Sequence, residues 1–215
     1  MTLFLDSAYI EDARKAASLG FVSGITTNPT LVAKVMADEP RFRTRAELIS
    51  DLCHAFPGII MVQLTATTAL EREKEGWELL ELHPARIGLK IPSTPENFPL
   101  AKRFAATGHT VGMTAIFSSG QTLLACEAGV KYLFPYVNRS TRLLGDGLGL
   151  VRSMRTVIDS LHSPLHILAA SIKSTEEAVD TIIAGAHGLT VPLEVITALG
   201  AHHLSEQTIA EFARG

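Results

Sequence analysis

Cysteine is nearly absent: Cys53 and Cys126 are the only two in 215 residues. Each falls in a segment of helical spacing, beside Leu52 and Ala125, with no second cysteine nearby. This excludes a disulfide framework and thiolate zinc spacing and predicts reduced core thiols. Charge of one sign is also lacking. Nineteen Lys and Arg against 22 Asp and Glu leave a formal charge of -3, without the basic runs that track phosphodiester backbones. Neither nucleic acid nor an anionic membrane is therefore expected as a partner. No apolar run approaches the length needed to cross a bilayer, and acids stand near the N-terminus where a signal peptide carries its basic region. The expectation is a cytoplasmic protein. The eight histidines are scattered, and His202 and His203 are adjacent rather than four apart, so no metal site is expected. Low-complexity tracts, interdomain linkers and repeats beyond a strand–helix period are missing too. With 47% hydrophobic residues, residues 1–215 read as one globular domain with a large core.

What is present is an alternation of short apolar strands with amphipathic helices. Strands are predicted over Thr2 to Asp6, Phe21 to Thr26, Gly58 to Leu64, Arg86 to Pro92, His109 to Ala115, Tyr132 to Tyr136, Leu165 to Ala170 and Gly188 to Val191. Helices are predicted over Ile10 to Leu19, Leu31 to Met36, Glu47 to Phe56, Ala69 to Leu82, Glu96 to Ala106, Ser119 to Glu127, Gly147 to Leu161, Ser174 to Ile183, Leu193 to Leu199 and Leu204 to Ala213. Asn28 suits an N-cap with Pro29 in the first turn, and Ser174 with Glu177 reads as a capping box. Apolar strands separated by helices imply an all-parallel sheet covered on both faces. Eight such units in this length close most economically as a (β/α)₈ TIM barrel. A doubly wound open sheet is the alternative, but the turn after Asp6 has no glycine.

The stretch Arg86-Ile87-Gly88-Leu89-Lys90-Ile91-Pro92 places one lysine near the end of an otherwise apolar strand. A buried ammonium is costly, so Lys90 either has a carboxylate partner or has its pKa driven down. A lysine tuned to ~7–8 is neutral often enough at pH 7 to attack a ketone and form a Schiff base. The plainer alternative is an ion-paired or snorkelling side chain. In a barrel the C-terminal strand ends converge on one face. Those ends carry Asp6, Thr26 with Asn28, Gln63, Lys90, Thr114, Tyr136 and Ser171, polar groups that must bond one another or a ligand if buried.

Leu5-Asp6-Ser7-Ala8, Gly24-Ile25-Thr26-Thr27-Asn28-Pro29-Thr30, Leu89-Lys90-Ile91-Pro92, Pro135-Tyr136-Val137-Asn138-Arg139 and Ala170-Ser171-Ile172-Lys173 follow one another in order over nearly the whole chain. In these stretches the sequence resembles the transaldolase and fructose-6-phosphate aldolase family. The resemblance implies a class I aldol mechanism in a (β/α)₈ barrel, without metal or other cofactor, with Lys90 as the Schiff-base lysine. It places Asp6, Thr26 and Asn28 around the amine and the donor hydroxyls. Arg139 and Ser171 would hold the terminal phosphate of a sugar, with Lys173 adding charge; solvated surface charge is the alternative for the two cations. The loop before the capped Ser174 helix is a reasonable anion site. Transaldolases are similar but carry glutamate on the third strand and typically phenylalanine on the sixth, where this chain has Gln63 and Tyr136. Glutamine can orient a water but cannot carry its proton, which leaves Tyr136 as the proton shuttle, with Gln63 and Thr114 placing the water and Asp6 assisting. A core aromatic with a satisfied hydroxyl is the plainer reading of Tyr136.

The closest likeness is therefore to the fructose-6-phosphate aldolase type. Such an enzyme joins or cleaves a dihydroxyacetone-like donor and glyceraldehyde 3-phosphate. The alternatives are a transaldolase passing a three-carbon unit between sugar phosphates, and a non-catalytic barrel that only binds them. Arginine and serine hold tetrahedral oxyanions generally, so a sugar sulfonate fits the same chemistry as a phosphate. Phe134 stands where relatives usually carry alanine or serine; two residues before Tyr136, it shares that side chain's face, and its ring is expected to intrude on the donor pocket. Relatives continue beyond the position of Phe212 with a longer helix that packs on a neighbouring subunit, in pentamers doubled into decamers. A homo-oligomer is the corresponding expectation.

Overall fold

The computed structural model describes residues 1–214. Eight parallel strands close into a barrel in chain order, as the sequence predicts. They are β1 (Thr2–Asp6), β2 (Gly24–Thr26), β3 (Ile59–Gln63), β4 (Ile87–Pro92), β5 (Val111–Ile116), β6 (Tyr132–Pro135), β7 (His166–Ala169) and β8 (Gly188–Val191). The connecting helices are α1 (Ile10–Leu19), α2 (Pro29–Asp38), α3 (Arg45–Ala55), α4 (Ala69–Leu82), α5 (Asn97–Ala106), α6 (Ser119–Ala128), α7 (Val137–Leu144), α8 (Gly147–Ser160), α9 (Thr175–Ile183), α10 (Leu193–Leu199) and α11 (His203–Phe212). β8 closes on β1 with Thr2 opposite Gly188 and Leu5 opposite Val191. No described helix is long and apolar enough to cross a membrane.

Alternation along each strand separates two cores. Leu3, Leu5, Ile60, Val62, Leu89, Ile91, Val111 and Ile167 face the helices and join one large apolar cluster. The other face looks into the barrel. There Phe4, Met61, Tyr132, Phe134 and Leu168 form a separate buried group. Its room comes from glycines. A Cβ on Gly24 would lie 2.6 Å from the Phe4 ring, on Gly88 2.4 Å from Met61 Sδ, and on Gly112 2.4 Å from the Phe134 ring. Large side chains from some strands thus fill the space that glycines vacate on others, which is how a barrel of this size packs solid.

Four local expectations change. β2 begins at Gly24 rather than Phe21, because only Gly24 to Thr26 can pair with both β1 and β3; Phe21 is exposed. β6 stops at Pro135, and Tyr136 makes an isolated bridge with Ala170. After it comes α7, a helix where the sequence predicts only loop; Gly145, at φ 90°, ends it before α8 begins. The capping box at α9 is half formed. Ser174 Oγ accepts from Glu177 N–H at 3.2 Å, but the Glu177 carboxylate accepts from Lys173 N–H at 2.7 Å instead of reaching Ser174. Asn28 caps α2 as expected, accepting from Leu31 N–H at 3.0 Å with Pro29 in the first turn.

Candidate active site

One residue pair along each strand separates the packed layer from the polar one. Two positions after Phe4, Gly24, Met61, Gly88, Gly112 and Phe134 come Asp6, Thr26, Gln63, Lys90, Thr114 and Tyr136, all facing the C-terminal end of the barrel interior. Gln63 lies beside Lys90 in the β3–β4 register. A cavity of about 610 Å³ opens above them, lined among others by Asp6, Asn28, Gln63, Lys90, Tyr136, Arg139, Ser171 and Lys173.

Lys90 is 3% exposed. Its ammonium donates to the Thr27 carbonyl at 2.8 Å and lies 5.4 Å from the centroid of the Phe134 ring, and among the described residues it forms no ion pair. Burial pushes its pKa down to about 8, with the Asp6 carboxylate pulling the other way. At that value about a tenth of the amine is neutral at pH 7, roughly two hundred times the share of an ordinary lysine. The snorkelling alternative does not describe this side chain, since it is buried and its ammonium bonds a backbone carbonyl rather than reaching bulk water.

Burial likewise raises the pKa of Asp6, against the lowering effects of Lys90, the Thr26 hydroxyl and Lys173. Thr26 Oγ1 donates to Asp6 Oδ1 at 2.8 Å and is 2.6 Å from Thr190 Oγ1, so Thr190 donates in turn. Thr190 completes the polar ring on the eighth strand. It is the one polar residue of Gly188-Leu189-Thr190-Val191, a signal present in the sequence but passed over because it lies one residue before the strand end.

Tyr136 Oη is 3.1 Å from Thr114 Oγ1. The pairing depends on an irregularity. The β5–β6 register shifts between Thr114 and Ile116, where Ala115 takes φ 58°, a bulge that re-aims the strand end. The Gln63 Oε1 atom is buried and, among the described residues, has no hydrogen-bond partner. An acceptor left open beside an amine and a phenol is a place for water or a substrate hydroxyl.

The three residues expected to hold the anion, Arg139, Ser171 and Lys173, converge on the cavity wall from two elements. Arg139 stands in the first turn of α7, its guanidinium 5.2 Å from the Tyr136 ring centroid. Asn138 N–H donates to the Ser171 carbonyl at 3.2 Å and Val137 N–H to that of Ala170 at 3.0 Å, which docks α7 onto the loop after β7. Ser171 holds φ 61°, a left-handed conformation that costs a non-glycine residue about 1–3 kcal/mol. Among the described residues neither Arg139 nor Lys173 is ion-paired, so both charges remain available at the cavity wall.

Three named residues are not in the cavity wall. Thr26 and Thr114 are fully buried and reach it through Asp6 and Tyr136. Phe134 does not intrude on the pocket as expected. Its ring is fully buried in the layer below, in the space left by Gly112, and forms the floor under the amine. Sequence reasoning also missed the outer part of the cavity, where Ser7, Tyr9, Asp12, Lys34 and Glu194 line the wall; their elements were expected, but nothing in their spacing showed that they face the site. Among the described residues no group of three His, Cys, Asp or Glu gathers as metal ligands.

Residues 3–214 match the family described as Transaldolase/Fructose-6-phosphate aldolase. Similar proteins include the "Probable transaldolase" of Alkaliphilus metalliredigens, 35% identical over 214 residues that cover 100% of this chain and 97% of that one. A "Probable transaldolase" of Thermus thermophilus is 36% identical over 215 residues, 99% of this chain and 96% of the relative. That of Chlorobium limicola is 32% identical over 214 residues, again 99% and 96%.

Proposed function

The chain belongs to the transaldolase/fructose-6-phosphate aldolase family and is an enzyme of aldolase or transaldolase type, and from that premise we propose a class I aldolase acting on a ketose 6-phosphate such as fructose 6-phosphate. The observation that carries the reading is the Lys90 amine: buried, unpaired with any carboxylate, lowered to about 8, and set beside an open Gln63 acceptor and the Tyr136–Thr114 hydroxyl pair.

The neutral amine attacks the C2 carbonyl, and loss of water leaves an imine. The C3–C4 bond of the protonated imine then breaks, its electron pair reaching the imine nitrogen to give a neutral enamine. The C4 hydroxyl proton meanwhile passes through a water at Gln63 to Tyr136, whose hydroxyl, held by Thr114, takes it up as it hands its own proton on toward C3. The departing aldehyde is glyceraldehyde 3-phosphate, its phosphate held by Arg139, Ser171 and Lys173. The proton returns to C3, and water hydrolyses the imine to free dihydroxyacetone and the Lys90 amine. Asp6, with its raised pKa and its Thr26–Thr190 hydroxyl chain, serves the proton steps at the imine, and Asn28 faces the donor hydroxyls. A sulfonate satisfies the same three anion ligands and belongs in the substrate panel.

The names of the relatives favour a second reading, transaldolase, in which the enamine adds to an acceptor aldehyde instead of taking a proton. One experiment separates the two. The protein is incubated with fructose 6-phosphate, with and without erythrose 4-phosphate, then reduced with borohydride and analysed by peptide mass. Free dihydroxyacetone without acceptor and a reduced adduct on Lys90 support the aldolase; product only with acceptor supports transfer; no adduct on Lys90 sinks both. Assembly into a homo-oligomer belongs to the same proposal. It is supported by α11, which has no buried residue and leaves Leu204, Ile209 and Phe212 exposed. A monomer by light scattering would rule it out.

A further inference from the structure

In the proposed reaction Gln63 holds the water of the proton step, yet among the described residues its buried Oε1 has no hydrogen-bond partner to orient it. Its position is set by the backbone that carries it. That backbone is held from outside the cavity by a pair of side chains with no other evident use. Arg45, the first residue of α3, donates through Nη2 to the Gln63 carbonyl and through Nη1 to the Glu75 carboxylate. Glu75, in the middle of α4, accepts from Thr65 N–H at 2.8 Å, Ala66 N–H at 2.9 Å and Thr65 Oγ1 at 2.9 Å. The two side chains are only 25% and 17% exposed. Burial pushes the Glu75 pKa up, but the hydrogen bonds from Ala66 and Thr65 outweigh it and hold the carboxylate below its ordinary range.

We propose that Arg45 and Glu75 are positioning residues which fix Gln63, and through it the water of the proton step, without touching substrate themselves. The inference rests on the role given to Gln63 above. Two helices otherwise separate in sequence converge on one strand end. The loop after Gln63 is saturated with charge-assisted bonds, whereas the side chain it presents is left free for the cavity. A carboxylate accepting two consecutive backbone N–H groups locks the loop, and the planar guanidinium ties that lock to the residue 63 carbonyl with a geometry lysine cannot copy. Misplacing a water-orienting group by about 1 Å costs roughly ten- to hundredfold in rate.

The test is a double-mutant cycle between Glu75→Gln and Gln63→Ala, read by steady-state kinetics with fructose 6-phosphate and by borohydride trapping. Glu75→Gln is expected to lower kcat by about ten- to hundredfold with KM within about twofold, while Lys90 is still trapped. In the Gln63→Ala background it should change kcat by less than about twofold, because nothing remains to be positioned. Arg45→Lys, which keeps the charge toward Glu75 but loses the second nitrogen, should fall between. Effects that multiply in the double variant, or a raised KM with unchanged kcat, overturn the proposal. Should Glu75→Gln fail to fold, Arg45→Lys carries the same cycle. If wild-type Lys90 is not trapped, the aldolase reading fails instead; the clamp is then decided by the Gln63 side-chain amide resonance, which Glu75→Gln should broaden or shift and which an unchanged signal would refute.

Discussion

Phe4 and Asp6, Met61 and Gln63, Gly112 and Thr114, Phe134 and Tyr136 are pairs two residues apart on the same strands, yet they make two unlike layers. In the lower one rings and a thioether fill the space left by glycines, and Phe4, Met61, Phe134 and Leu168 are at most 1% exposed. In the upper one an amine is held at about 8, a carboxyl is raised by burial, an amide oxygen lacks a partner and a serine is held at φ 61°. The lower layer stabilises the barrel. The upper layer costs stability, and what it holds is reactivity. The difference arises from a spacing of two residues, because that spacing keeps a side chain on the same face while moving it from the closed middle to the open end.

Replacing the amine is the most severe way to break this contrast. Lys90→Met should lower cleavage by more than about 10⁴-fold, abolish the borohydride adduct and yet stabilise the fold. Lys90 has a folded pKa of about 8 against an ordinary 10.5. The unfolded chain therefore binds the extra proton between those values, so the burden on stability is fully present below about pH 8 and disappears as pH rises toward 10.5. Denaturant unfolding should show the variant more stable by about 3 kcal/mol at pH 7, and equal to wild type near pH 10.5. In wild type, imine formation should climb with pH and level off above about 8. A profile that keeps climbing past pH 9 without levelling off would contradict the lowered amine.

Removing the phenol alone sharpens the comparison within the upper layer. Tyr136→Phe should reduce cleavage by about 10²–10⁴-fold while Lys90 remains trappable; unchanged cleavage would take the phenol out of the proton step. In the lower layer the expected loss is of stability, not chemistry. Phe134→Ala should cost about 3–5 kcal/mol by leaving a cavity beneath the amine, measured as a fall in the denaturant midpoint at constant slope. Gly112→Ala should cost about 1–3 kcal/mol by overpacking against the same ring, and in the Phe134→Ala background most of that cost should vanish. The smallest effect falls at the rim. Ser171→Gly should raise stability by up to about 1 kcal/mol, since glycine accepts φ 61° freely, while KM for the phosphorylated sugar rises. A variant less stable than wild type would mean that Ser171 is not strained.

Much of this was legible in the chain. Ala69 to Leu82, Leu193 to Leu199 and Gly188 to Val191 have bounds that the hydrophobic pattern places to the residue, and the eight strand–helix units lead directly to a closed parallel barrel. The burial of Lys90 followed from its apolar neighbours. Boundaries failed where pairing, not composition, ends a strand: Phe21 to Ser23 are as strand-like as Gly24 to Thr26, but only the latter have partners on both sides. The helix Val137–Leu144 escaped because its polar first turn looks like loop until it docks on the carbonyls of Ala170 and Ser171.

The sequence by itself determined the fold class, the strand-end set and the lone amine, since each depends on residue type and on spacing along one segment. Only the tertiary structure decided the rest. The acceptor for the Lys90 ammonium is a backbone carbonyl sixty-three residues away; the position of Phe134 depends on Gly112 of the neighbouring strand; Thr190 reaches Asp6 through Thr26; and Arg45 meets Glu75 at the end of a strand that belongs to neither helix. These are relations between segments far apart in sequence. They come into being only when the barrel closes, because closure alone fixes which side chains share an end of its interior and which have room there.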